Sequence, residues 1–245
     1  MMGVFRQGLV SVIAGFALGG SCADVAHAVQ AFGARTVVVP AIRAEVEPDA
    51  EPTSNWAAFQ KQLEEFVARP ATEDLAVIQE VRAMGKSAPP PFLMEMGKRI
   101  ARTDSSEGAY WYRLGWVQSL YTAGRCKDRS ALGGLTIAFM TVARDRALVQ
   151  AVDAPDLRLP ALERILQEDG PMEGSKTSAW WLCSHGMQAM TAAMSGSTEL
   201  SLSDWFAAED DTQRLAAEAE LADGLQQLMA RDRAALATSR PGQTN

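Results

Sequence analysis

The chain has 245 residues, with 30 acidic against 23 basic side chains and a formal net charge of −7. That balance argues against nucleic acid or an anionic membrane surface as partner, because both select basic patches; basic proteins or cations fit it better. The length suits one domain with a sizeable core.

The N-terminus has the layout of an export signal. Arg6 supplies a positive charge, and Leu9 to Gly20 runs without a charged residue. The run is too short to span a bilayer, which needs about 20 apolar residues. Ala26-His27-Ala28 is an A-x-A cleavage site, so cleavage after Ala28 is expected. A lipid anchor at Cys22 is the alternative, although Gly19 stands where a good lipobox has leucine. Export implies a periplasmic or secreted location. Of three cysteines, Cys22 leaves with the signal. Cys126 and Cys183 remain, an even count that suggests a disulfide in an oxidising compartment; the alternative is two buried thiols. Residues 29–53 read as a tether. Val37 to Val39 offer a short strand or arm, and the Pro- and acid-rich stretch after Pro40 cannot bury a face.

Helical signals follow. Thr53 or Ser54 caps a first helix carrying Trp56, Phe59, Leu63, Phe66 and Val67 on one face, ended by Pro70. Thr72 caps a second with the stripe Leu75, Ile78, Val81 and Met84, closed by Gly85. Pro89 to Pro91 lead a third, with Phe92, Met96 and Ile100 inward and Lys98, Arg99 and Arg102 toward its C-terminal end. Ser105 or Ser106 caps a fourth carrying Tyr110, Leu114, Val117 and Tyr121, widened by Trp111 and Trp116. Gly115 there permits a close helix approach.

A fifth helix is expected from Ser130 to about Val152. Pro155 and Pro160 bracket a break before a brief helix with Leu162, Ile165 and Leu166. After a loop at Gly170-Pro171, a seventh runs from about Ser175 to Met194. The last begins near Ser203, carries Leu215, Ala219, Ala222, Leu225 and Met229, and gives way to a frayed tail at 239–245. The expected fold class is all-α: a compact bundle of about seven or eight antiparallel helices over 54–238, with TPR-like helix pairs as an alternative.

Chemical signatures are sparse. His185 is the only histidine after the cleavage site, so a histidine metal cluster is not expected within one chain. Adjacent helical residues point about 100° apart, which makes Ser184 and His185 a poor nucleophile pair. Cys126 with His185 is an option only if the disulfide does not form. No phosphate loop, dinucleotide fingerprint or hydrolase elbow is present. Glu209 to Asp211 read as an acidic helix start rather than a cation site. No cofactor or metal is expected, and an enzymatic role is less favoured than binding.

Four ordered pieces carry a resemblance: Pro89-Pro90-Pro91-Phe92-Leu93-Met94-Glu95, Tyr110-Trp111-Tyr112, Arg125-Cys126-Lys127-Asp128, and Trp181 through His185-Gly186-Met187. Together, over about residues 88 to 190, they resemble a poorly characterised family of exported helical proteins of proteobacteria. The resemblance implies an immunity-type or other envelope binding role and no catalytic residues. His185, Trp181, Arg125 and Asp128 are the candidate functional residues. The expected function is a periplasmic binding protein, an immunity protein that neutralises an antibacterial effector. The alternatives are an envelope scaffold of helix pairs and a periplasmic hydrolase or thiol enzyme using His185.

Overall fold

The computed structural model describes residues 56–85, 88–168, 179–195, 206 and 212–239. Ala26, Ala28, Cys22, the tether, Thr53, Ser54, Gly170-Pro171, Ser175, Ser203, Glu209 to Asp211 and residues 240–245 lie outside them. The described residues are all-α, with ten helices: α1 Trp56–Ala68, α2 Asp74–Met84, α3 Pro90–Ile100, α4 Ser105–Gly124, α5 Leu132–Val142, α6 Arg146–Val152, α7 Pro155–Glu168, α8 Trp180–Cys183, α9 Met187–Ser195 and α10 Thr212–Thr238.

The α3–α4 hairpin is the centre. Pro90 and Pro91 fill the first two positions of α3, where the missing N–H groups have no intrahelical role. All eleven residues of α3 are buried. Three glycines let it lie against α4 and fix an antiparallel register. An added Cβ on Gly97 would stand 2.3 Å from the Tyr112 nitrogen, one on Gly108 2.5 Å from the Ala101 Cβ, and one on Gly115 2.4 Å from the Pro90 oxygen. The close approach expected at Gly115 is thus present, with two further positions of the same kind.

Helices α1, α2 and α5 cover α3, while α7 and α10 cover α4. Phe59 and Phe66 of α1 meet Phe92 of α3, with ring centroids 5.6 and 5.1 Å apart. Phe92 is fully buried, as its place on the inward face of α3 led one to expect.

A buried ionic cluster fastens the helix ends. Lys98 Nζ lies 2.5 Å from Glu95 Oε2 and donates to the Val142 carbonyl, at the C-terminus of α5, at 2.8 Å. Arg99 donates to Glu95 Oε1 at 2.8 Å, to Asp74 Oδ1 at 2.6 Å, and to the carbonyls of Phe66 and Arg69 at the end of α1. Helix C-termini leave carbonyls without intrahelical partners, and these cations satisfy them. Burial pushes the Glu95 carboxyl above its usual range, against the pull of Lys98 and then Arg99. A second cluster joins α4, α7 and α10. Arg158 pairs with Asp232 and with Asp153, and Arg113 with Asp153. Burial lowers the Arg113 guanidinium to about 9.

Several expectations are corrected. Thr72 does not cap the second helix: it lies in a 3-10 turn, Ala71–Glu73, and α2 begins at Asp74 without a side-chain cap. Leu75 is 67% exposed, because α2 buries the Val77 and Val81 face. Asp104, not Ser105 or Ser106, caps α4, accepting from the Glu107 N–H at 3.0 Å. The expected helix 130–152 is a 3-10 turn plus two helices, separated where Asp145 caps α6. Pro160 does not break the sixth helix; it lies inside α7 on an exposed face. The seventh is split at Ser184–Gly186 into α8 and α9. On α10, Leu215, Ala219 and Ala222 are exposed, and the core face is Ala217, Leu221, Leu225, Leu228 and Met229.

Candidate functional site

The residues singled out by sequence converge where the loop after α4 meets the α8–α9 segment. Helix α4 ends at Gly124, with Arg125 at its C-cap, and Cys126 follows immediately. Cys183 closes α8. Cys126 and Cys183 form a disulfide with Cα atoms 5.2 Å apart, linking positions 57 apart in sequence. Both are buried, and Cys126 also makes an isolated antiparallel bridge with Phe206.

Asp128 is a double cap. Its Oδ1 accepts the Ser130 N–H at 2.9 Å and the Ser130 hydroxyl at 2.7 Å, holding the 3-10 turn Arg129–Ala131. Its Oδ2 accepts the Gln188 N–H at 2.7 Å, in the first turn of α9. Ser130 Oγ in turn accepts the Met187 N–H at 2.7 Å. Two unpaired donors of α9 are therefore satisfied from a loop some sixty positions earlier. Gly186 makes this possible, since a Cβ there would stand 2.5 Å from Asp128 Oδ2. Partial burial pushes the Asp128 carboxyl upward, but the bonds from Ser130 and Gln188 outweigh it and hold it below the usual range.

Ser184 and His185 reach the other way, toward α1. Ser184 Oγ accepts the Trp56 N–H at 2.8 Å, a first-turn donor of α1. The half-buried His185 ring lies 4.4 Å from the Trp56 ring, centroid to centroid. Both rings pack on Gly134 of α5, where a Cβ would be 2.8 Å from His185 Cδ2 and 2.9 Å from Trp56 Cζ3. Burial lowers the imidazole below its ordinary value. Trp181 is 1% exposed, with its ring 4.5 Å from that of Phe59. Its indole nitrogen has no hydrogen-bond partner among the described residues.

The structure thus brings Arg125, Asp128, Trp181, His185, Cys126 and Cys183 into one region and gives most of them a framework task. The disulfide leaves no thiol at either cysteine. Ser184 is 4% exposed, and its oxygen is bonded to a backbone donor. Sequence reasoning missed Ser130, Gly186 and Trp56 as members. In sequence Ser130 signals only a helix start, and the pairing of Gly186 with Asp128 has no local signal. No group of three His, Cys, Asp or Glu side chains converges as a metal site among the described residues. An open depression of about 560 Å³ between α1 and α2, lined by Gln62, Glu65, Phe66, Arg69 and Glu80 among others, contains none of the candidate functional residues Arg125, Asp128, Trp181 and His185. No described helix is long and apolar enough to cross a membrane. Comparison with protein-family models, curated proteins and solved structures gives no match to this chain.

Proposed function

We propose that this chain is an exported binding protein of the bacterial envelope, acting as an immunity protein that neutralises an antibacterial effector. The observation that carries the reading is the Cys126–Cys183 disulfide. Such bonds persist in oxidising compartments, which supports export from the cytoplasm, in line with the Arg6 charge and the Ala26-His27-Ala28 site. The same bond removes the thiolate that a Cys126–His185 enzyme would need. The net charge of −7 favours a basic protein as the target.

The test is protection and capture. Cells expressing the chain are challenged with each secreted product encoded beside its gene, and the purified chain is used to capture those products. Protection from one of them, with direct binding to it, is the expected result. No protection and no binding with any neighbouring product would sink the immunity reading.

A further inference from the structure

Residues 184 and 185 together hold residue 56. Ser184 Oγ takes the Trp56 N–H, and the His185 imidazole and the Trp56 indole lie side by side against Gly134 of α5, where a Cβ would stand 2.8 Å from His185 Cδ2 and 2.9 Å from Trp56 Cζ3. We propose that His185 is an acid-sensitive latch: neutral, it keeps the first turn of α1 on the disulfide-closed turn; protonated, it lets that turn go.

The surroundings decide the sign. Helix α5 carries no charged residue over Leu132–Val142, and neither the turn Trp180–Gly186 nor α9 carries an acid or a base besides His185. The loop after α4 supplies Arg125, Lys127 and Arg129, all cations, and one carboxylate, Asp128. Asp128 already accepts three bonds, from Ser130 and Gln188. On α1 the charged groups are Lys61, Glu64 and Glu65, which lie more than one turn beyond Trp56 and are exposed; Lys61 lies 3.9 Å from Glu65, and Glu64 lies 3.7 Å from Arg144. Among the described residues an imidazolium at this place gains a charge without gaining a counter-ion, in a half-buried setting that disfavours the charged form. The competing effect is attraction of the cation to the indole face. The two rings are tilted by 39° rather than stacked flat, and burial outweighs that attraction, holding the imidazole below its ordinary value. Acid therefore drives the ring outward into water, and the bond from Trp56 to Ser184 loses its cover.

The test is histidine NMR on the full chain from pH 8 to pH 4, with His185→Gln used to tell the His185 signal from that of His27. In parallel, hydrogen exchange of the first turn of α1 is measured at pH 7 and pH 5 and corrected for intrinsic rates. The expected result is a His185 midpoint below that of a free histidine and a several-fold rise in first-turn exchange at pH 5, with no such rise in α3. His185→Phe keeps a ring that cannot ionise, and in that variant the rise disappears. A midpoint at or above the free value, unchanged exchange, or the same rise in His185→Phe would each overturn the proposal.

Discussion

The backbone of Pro90 and that of Gly115 touch: a Cβ on Gly115 would stand 2.4 Å from the Pro90 carbonyl oxygen. Close packing at that point depends on the absence of a side chain. Gly115→Ala should therefore destabilise the protein by about 1–3 kcal/mol, because overpacking against backbone outweighs the gain in helix propensity. Gly133→Ala is the control. Its nearest neighbour would be His185 Nε2 at 3.9 Å, an ordinary contact on an exposed face. It should stabilise α5 by about 0.5–1 kcal/mol. Urea melts of both variants give the comparison.

Glu95 holds two buried cations, Lys98 and Arg99. Glu95→Ala leaves Lys98 buried with only the Val142 carbonyl and Arg99 with only Asp74 as a carboxylate partner, and should cost about 3–5 kcal/mol. Removing the exposed Lys61–Glu65 pair by Lys61→Ala should cost less than about 0.5 kcal/mol. Chemical denaturation at neutral pH distinguishes the two; equal effects would mean that the Glu95 cluster is not a buried ionic tie.

Phe92 is fully buried between Phe59 and Phe66. Phe92→Ala should lower stability by roughly 3–5 kcal/mol, through lost burial and the cavity left behind. Unchanged melting with loss of partner binding would show instead that Phe92 belongs to a recognition surface.

Asp128 carries a pH dependence whose sign is fixed. Its carboxyl is held below the usual range in the folded chain, so its caps stabilise the fold above the unfolded value of about 3.9. That contribution is lost as pH falls through the depressed folded value. Asp128→Asn should therefore weaken the protein at neutral pH and flatten the acid limb of the stability profile below about pH 4. Thermal melts from pH 7 to pH 2.5 on both proteins measure this. An acid limb identical to that of the parent would contradict the double cap.

The all-α class was legible in the helical spacing, as was the start of α3, because a proline run is best tolerated in the first turn, where the missing N–H groups have no partner. Gly85 was legible as a stop; its φ of 58° is the left-handed region that glycine enters without strain. The face of α2 was not, since Val81 belongs equally to the expected stripe and to the observed pair with Val77, and periodicity cannot choose between them. Pro160 was read as a break because proline removes an N–H. In α7 the carbonyl it leaves unpaired, that of Asp156, lies on an exposed face, where water can satisfy it. The sequence points to Ser105 or Ser106 as the cap of α4 and misses Asp104, one position earlier, which backbone geometry selects.

The candidate site divides in the same way. The cysteine pair and its neighbours Asp128, Trp181 and His185 stood out as short motifs. The disulfide was legible from the even cysteine count, but the tasks of the other residues were not, because each is set by a partner far along the chain: Gln188 for Asp128, Trp56 for His185 and its neighbour Ser184, Phe59 for Trp181. Likewise Lys98 and Arg99 look from sequence like ordinary basic residues at a helix end. Their burial follows from α1, α2 and α5 closing over α3, which no local pattern encodes.

The central claim joins export to the Cys126–Cys183 bond, and one preparation tests both. Protein purified from a periplasmic extract is weighed intact and then mapped by non-reducing peptide digestion. The expected result is a chain beginning at Val29 in which the Cys126 and Cys183 peptides are joined. A chain beginning at Met1, or free thiols at both positions in native periplasmic protein, would contradict it and reopen the Cys126–His185 enzyme reading.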